Sequence, residues 1–150
     1  MLGGCVFCDR SWMPASEVYL ETRWCVFVAT RDPAVRASAK IAADVLPGSG
    51  VIIPIAHRSS PFDLTPEEWD DTRELLLRGR DALHQLYAPD GYTLGWNDQA
   101  GLHPHLHVLP RFDDEPCVNA GVRTGINVPE NRRPDPWARG RGRHGAPSKP

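Results

Sequence analysis

Three histidines stand at every second position in His103-Pro104-His105-Leu106-His107-Val108-Leu109-Pro110, and no other feature constrains the fold of this 150-residue chain as strongly. A helix would scatter the three around its axis. On a strand, where side chains alternate between faces, all three imidazoles share one face while Leu106 and Val108 turn to the core. A row of rings with only a structural purpose is a poor reading, because they lose hydration together and satisfy nothing by themselves. Pro104 cannot donate to a strand ladder, so its position belongs at an edge or an irregularity.

The rest of the chain offers that strand partners and a cover. Glu17–Glu21 and Trp24–Ala29 read as a hairpin turning at Thr22-Arg23, and Pro47-Gly48-Ser49-Gly50 breaks the chain before the apolar run Val51–Ile55, a buried strand. The Ala-rich stretch Pro33 to Asp44 predicts a short helix. A longer helix runs from Thr65-Pro66-Glu67-Glu68 to about Tyr87: Thr caps it, Pro takes the first position and Glu lies three residues after the cap. Trp69, Leu76, Leu83 and Tyr87, with Leu75 and Leu86 beside them, form its expected core stripe, and Pro89-Asp90-Gly91 ends it. Tyr92–Trp96 and Leu102–Leu109 are two further strands, separated by residues 97–101.

Charge divides the chain. Residues 1–130 carry 11 basic and 18 acidic side chains, whereas 131–150 carry six basic and one acidic. An acidic body speaks against nucleic-acid binding, and the Arg/Gly tail alone, with Trp137 its one aromatic, is a weak footing for it. Residues 1–128 are expected to form one domain and 129–150 a flexible basic Pro/Arg/Gly-rich tail, too poor in apolar groups to offset the entropy of ordering. No apolar run approaches a membrane span, and the N-terminus lacks a charged flank and an apolar signal core, so a cytoplasmic protein is expected. In a reducing compartment Cys5-x-x-Cys8 reads as metal-binding or redox-active rather than as a disulfide framework. As a metal site it needs two more ligands; His57, just after the Val51–Ile55 strand, and one histidine of the row would complete a tetrahedral Cys2His2 set.

Cys5-x-x-Cys8, Pro47-Gly48-x-Gly50-Val51-Ile52-Ile53-Pro54 with His57 three residues on, Leu64-Thr65-Pro66-Glu67-Glu68, and His103-x-His105-x-His107-Val108-Leu109-Pro110-Arg111 occur in this order. Together they resemble the zinc-carrying type of the histidine-triad (HIT) superfamily over roughly residues 5–115. The resemblance implies an α+β, HIT-like fold: an antiparallel sheet of about five strands with one long and one short helix. It also implies a homodimer that binds nucleotides and hydrolyses or transfers nucleotidyl groups. His105 would attack the α-phosphate to give a nucleotidyl-imidazole intermediate, and His107 would bind phosphate oxygens. Cys5, Cys8, His57 and His103 would hold a structural zinc. Asn97 and Gln99 carry over as phosphate-loop residues, and Asp32 as the acidic residue that takes the ribose hydroxyls.

One segment departs from the pattern. Between Asn97 and His103 the family has a longer loop with Gly-Gln and a Ser or Thr cradling phosphate; here only Asp98-Gln99-Ala100-Gly101-Leu102 remain, with no hydroxyl. One such donor is worth about 2.7–4 kcal/mol to a developing oxyanion, so a zinc-stabilised nucleotide-binding module without turnover is the alternative function. A metallohydrolase using the whole histidine row on a catalytic metal is a third reading, but it leaves Cys5 and Cys8 without a purpose.

Overall fold

The computed structural model describes residues 4–5, 7–10, 18–29, 46–98, 103–122, 125, 128–131 and 133. Its strands are β1 (Val18–Glu21), β2 (Cys25–Ala29), β3 (Gly50–Pro54), β4 (Gly91–Trp96) and β5 (Leu106–Arg111), with one long helix, α1 (Pro66–Tyr87), between β3 and β4. All neighbouring strands are antiparallel and the sheet order is β1-β2-β3-β5-β4. This is the expected α+β architecture with its five strands. The short helix expected over 33–44 lies outside the described residues.

Local chemistry sets the element ends. Thr22 closes the β1–β2 turn, its N–H and hydroxyl both donating to the Cys25 carbonyl. At the start of α1 the Thr65 hydroxyl accepts from the Glu68 N–H and the Glu68 carboxylate accepts from the Thr65 N–H, a reciprocal cap with Pro66 in the first turn. Ala88 ends the helix in the left-handed region at φ 46°, its N–H donating to the His84 carbonyl. The last strand begins later than expected, at Leu106 rather than Leu102. Pro104 lacks the N–H a ladder needs, and regular pairing begins only at Leu106, opposite Ile52 and Trp96.

Alternation divides the core. Cys25, Phe27, Ile52, Leu106 and Val108 face α1 and pack with Leu75 and Leu83; Val26, Val28, Val51 and Ile53 form a second layer on the opposite face, against Phe7 and Val18. The helix stripe keeps Leu75 and Leu83 of the expected set and is rotated away from the rest. The buried positions are Glu68, Thr72, Leu75, Gly79 and Leu83, while Trp69 and Leu86 are exposed and Leu76 and Tyr87 half-buried. The cause is Phe27: its ring lies against Gly79, where a Cβ would come within 2.3 Å of Cε1, so the helix presents its glycine to the sheet.

Beyond β5 the chain is tied down by a polar network. Arg111 forms a two-pronged ion pair with the buried Glu115 and donates to Thr93 and to the Cys117 and Ala120 carbonyls; Asn131 donates to Glu115 and Gly125 and accepts from the Cys117 N–H. Pro129–Asn131 form a 3-10 turn in which Asn131 is buried, its amide completing this network. Residues 134–150 lie outside the described residues. No helix among the described residues is long and apolar enough to cross a membrane.

Candidate functional site

Three segments of the chain meet at one corner of the sheet. A turn at Cys5–Cys8, in which the Cys8 and Asp9 N–H groups donate to the Cys5 carbonyl, meets the exit of β3 and the segment entering β5. At the exit of β3, Ile55 N–H donates to the Trp24 carbonyl, and His57 and Arg58 follow. Arg58 is clamped by a two-pronged bond to Glu68 at 2.9–3.1 Å, so the cap of α1 also fixes the loop bearing His57.

At this corner the ligand atoms of Cys5, Cys8, His57 and His103 all lie within 4.8 Å of one another. Cys5 Sγ is 3.4 Å from His103 Nδ1, and Cys8 Sγ is 3.4 Å from His57 Nδ1 and 3.5 Å from His103 Nδ1. A tetrahedral ion with bonds of ~2.3 Å to sulfur and ~2.0–2.1 Å to nitrogen sets its sulfur and nitrogen ligands about 3.6 Å apart, so the spacing fits one. His103 is only 2% exposed, and its Nε2–H donates to the Pro54 carbonyl at 2.8 Å, which aims the Nδ1 lone pair at the thiols. Burial, more than the neighbouring His57 and His105, keeps this ring below the ordinary imidazole range, against the opposing pull of the Pro54 carbonyl.

His105 and His107 lie beside the cluster, not in it. The His105 Nδ1 is 3.0 Å from the His103 carbonyl. A carbonyl only accepts, so Nδ1 carries the proton and the neutral ring keeps its lone pair on Nε2. His107 stacks edge-on against His105, ring centres 4.7 Å apart, and is 9% exposed. Its register partners are Val51 and Gly95, so it stands on the sheet face opposite α1. Burial first, and the neighbouring His105 second, push His107 down to about 4, and its Nδ1 is buried with no hydrogen-bond partner among the described residues.

Neither a protein-family model nor a curated protein sequence matches the chain. Solved structures do. A HIT family protein from Bacillus anthracis superposes with a TM-score of 0.58 at 23% identity, covering 75% of this chain and 76% of that one. A Zn-bound histidine triad family protein from Mycobacterium smegmatis gives 0.57 at 21%, covering 85% and 87%, and a HIT family hydrolase from Clostridium thermocellum gives 0.54 at 22%, covering 79% and 99%.

The chain has the histidine-triad fold.

Within that fold the three histidines part company: His103 turns into the Cys/His cluster, while His105 and His107 lie beside it, His107 on the sheet face opposite α1. The three rings do not converge on one point as a metallohydrolase would need, and the metal-competent cluster found among the described residues takes in the two cysteines. Asn97 is exposed just after β4, and its neighbour Asp98 accepts from the Ser60 hydroxyl at 3.1 Å. Gln99 and Asp32 lie outside the described residues. Three features have no sequence forecast: Phe7 stacked on His105, the Arg58–Glu68 clamp, and the Arg111–Glu115–Asn131 network. Of these only Glu68 left a signal, as the third residue of the helix cap; its partner ten positions upstream did not.

Proposed function

We propose that the protein is a nucleotidyl hydrolase or nucleotidyltransferase in which His105 attacks the α-phosphate of a nucleotide conjugate. The observation that carries this reading is the hydrogen bond from His105 Nδ1 to the His103 carbonyl, which leaves Nε2 as the nucleophilic atom. In the first step a bond forms between Nε2 and the α-phosphorus while the bond from phosphorus to the leaving group breaks. In the second, water or another acceptor attacks phosphorus, the P–N bond breaks and the imidazole is regenerated. His107, held neutral by burial, donates an N–H to a phosphate oxygen without adding charge to the site. Asn97 acts as a second phosphate donor, and Gln99 and Asp32 complete the nucleotide site, all three as the resemblance implies.

The same reading assigns Cys5, Cys8, His57 and His103 to a structural zinc. Four protein ligands close the site, so the metal supplies a fixed anchor and no catalytic water. Elemental analysis of protein purified without added metal is expected to read one zinc per chain, lost when Cys8→Ser is combined with His57→Ala. Thiols in this cluster suit a reducing, cytoplasmic setting. Two copies pair as a homodimer along the outer edge of β4.

Trapping tests the chemistry. Protein incubated with a nucleotide conjugate labelled in its α-phosphate and quenched in alkaline detergent is expected to carry a nucleotidyl adduct that acid then releases, absent in His105→Asn while nucleotide affinity stays within a few-fold. An adduct that persists in His105→Asn overturns the covalent mechanism. Nucleotide binding with neither adduct nor turnover points to the binding module, for which the short segment between Asn97 and His103 is the physical reason.

A further inference from the structure

Phe7 lies between the two cysteines of the Cys5–Cys8 turn, yet its ring reaches beyond them. Its centre is 4.8 Å from that of His105, with planes tilted by 39°, and 5.9 Å from that of His103, edge-on at 67°. It also packs on the Val26, Val28, Val51 and Ile53 layer, so three contacts converge on one side chain that the turn carries. His105 needs such support. It precedes the regular part of β5 and follows Pro104, so no ladder fixes its backbone, and its ring is held by one bond to the carbonyl two residues back and by the flank of His107.

We infer that Phe7 is a positioning residue for His105: the turn that presents Cys5 and Cys8 to the Cys/His cluster also seats Phe7 against the nucleophilic ring, so that order in the cluster becomes order in the imidazole. This rests on the reading of His105 as nucleophile. The hydrogen bond at Nδ1 fixes which nitrogen is free, but a single bond near the ring's root leaves rotation about it; a phenyl ring packed on the same imidazole and anchored in the sheet removes that freedom. Reaction geometry is steep in this respect, since a misplacement of ~1 Å can cost about 100-fold in rate.

The test uses the full chain, labelled with 13C-histidine, with the His105 signal assigned by its loss in His105→Asn. In Phe7→Ala the His105 ring resonances are expected to move downfield, as the shielding phenyl ring is lost, and kcat on a nucleotide conjugate to fall about 10- to 100-fold with KM changed far less. Metal content by elemental analysis should equal the parent's, and Phe7→Tyr, which keeps the ring, should recover both the resonance position and kcat. Unchanged His105 resonances in Phe7→Ala overturn the proposal. So does an effect confined to KM, which would make Phe7 a substrate contact. Phe7→Leu keeps an apolar anchor; loss of metal from both it and Phe7→Ala also overturns the proposal, because Phe7 would then serve the turn and not the histidine. If His105→Asn retains turnover, the nucleophile reading falls, whereas the resonance shift still reports separately whether Phe7 seats the ring.

Discussion

His107 carries a cost that the fold accepts in order to keep a neutral imidazole on the sheet face opposite α1. Burial holds it at about 4 in the folded protein, whereas the unfolded chain returns it to an ordinary imidazole value of ~6.5. Between those values the unfolded state binds the additional proton, so this contribution to stability is complete above pH ~6.5. It declines by up to about 1.4 kcal/mol per pH unit as the pH falls, and levels off near 4 after a total loss of roughly 3 kcal/mol. Urea unfolding of the parent and of His107→Gln at pH 7 and pH 4.5 checks this: the variant should lose markedly less stability over the interval, and parallel losses would show that His107 is not the group responsible. The period-two row made this histidine legible in the sequence, as it did Pro104's break of the ladder. Which atom binds each ring was not legible, because His103 meets Cys5 at a separation of 98 residues and Pro54 at 49. Spacing within a segment reports which face a side chain shares; it carries no information about a partner brought from elsewhere by the topology.

The same division holds for α1. Its ends were written locally, in the Thr65/Glu68 cap and the Pro89-Asp90-Gly91 stop, and the structure puts them at Pro66 and Tyr87. Its buried stripe was legible only in Leu75 and Leu83, since a hydrophobicity pattern favours Trp69 over Gly79 and takes no account of the Phe27 ring across the interface. A Cβ at Gly79 would stand 2.3 Å from Phe27 Cε1 and 2.7 Å from Cδ1, with both residues inside the core and no flexible side-chain end to yield. Gly79→Ala gains about 1 kcal/mol in helix propensity, but overpacking of this kind costs about 1–3 kcal/mol. The expected net result is a destabilisation of up to about 2 kcal/mol in chemical denaturation, partly recovered when Phe27→Leu is added, because the two changes share one contact. If Gly79→Ala alone raised the unfolding midpoint, the helix would owe its rotation to something other than the ring.

At the scale of the molecule the sheet has two ends that differ in kind. β1 is short and breaks register with β2 between Val18 and Leu20, an irregularity that blunts an edge. β4 pairs with β5 in unbroken register along all six residues, and its outer side has no strand partner among the described residues. That edge is apolar as well as open: Leu94 is 47% exposed, and Trp69, 43% exposed on α1, stacks edge-on against Trp96 with ring centres 5.8 Å apart. A regular apolar edge in an isolated chain is a template for further strand pairing, and a second copy laid antiparallel across it closes the edge by two-fold symmetry without leaving a new one. Sedimentation at micromolar concentration should therefore give about twice the 16.7 kDa of one chain. Leu94→Arg, a solvent-facing change that leaves the Leu75, Leu83 and Phe27 core intact, should bring the mass down to that of one chain while far-ultraviolet circular dichroism stays unchanged. A parent that sediments as a single chain would remove the dimer from the proposed function, and a Leu94→Arg variant that stays paired would move the interface away from β4.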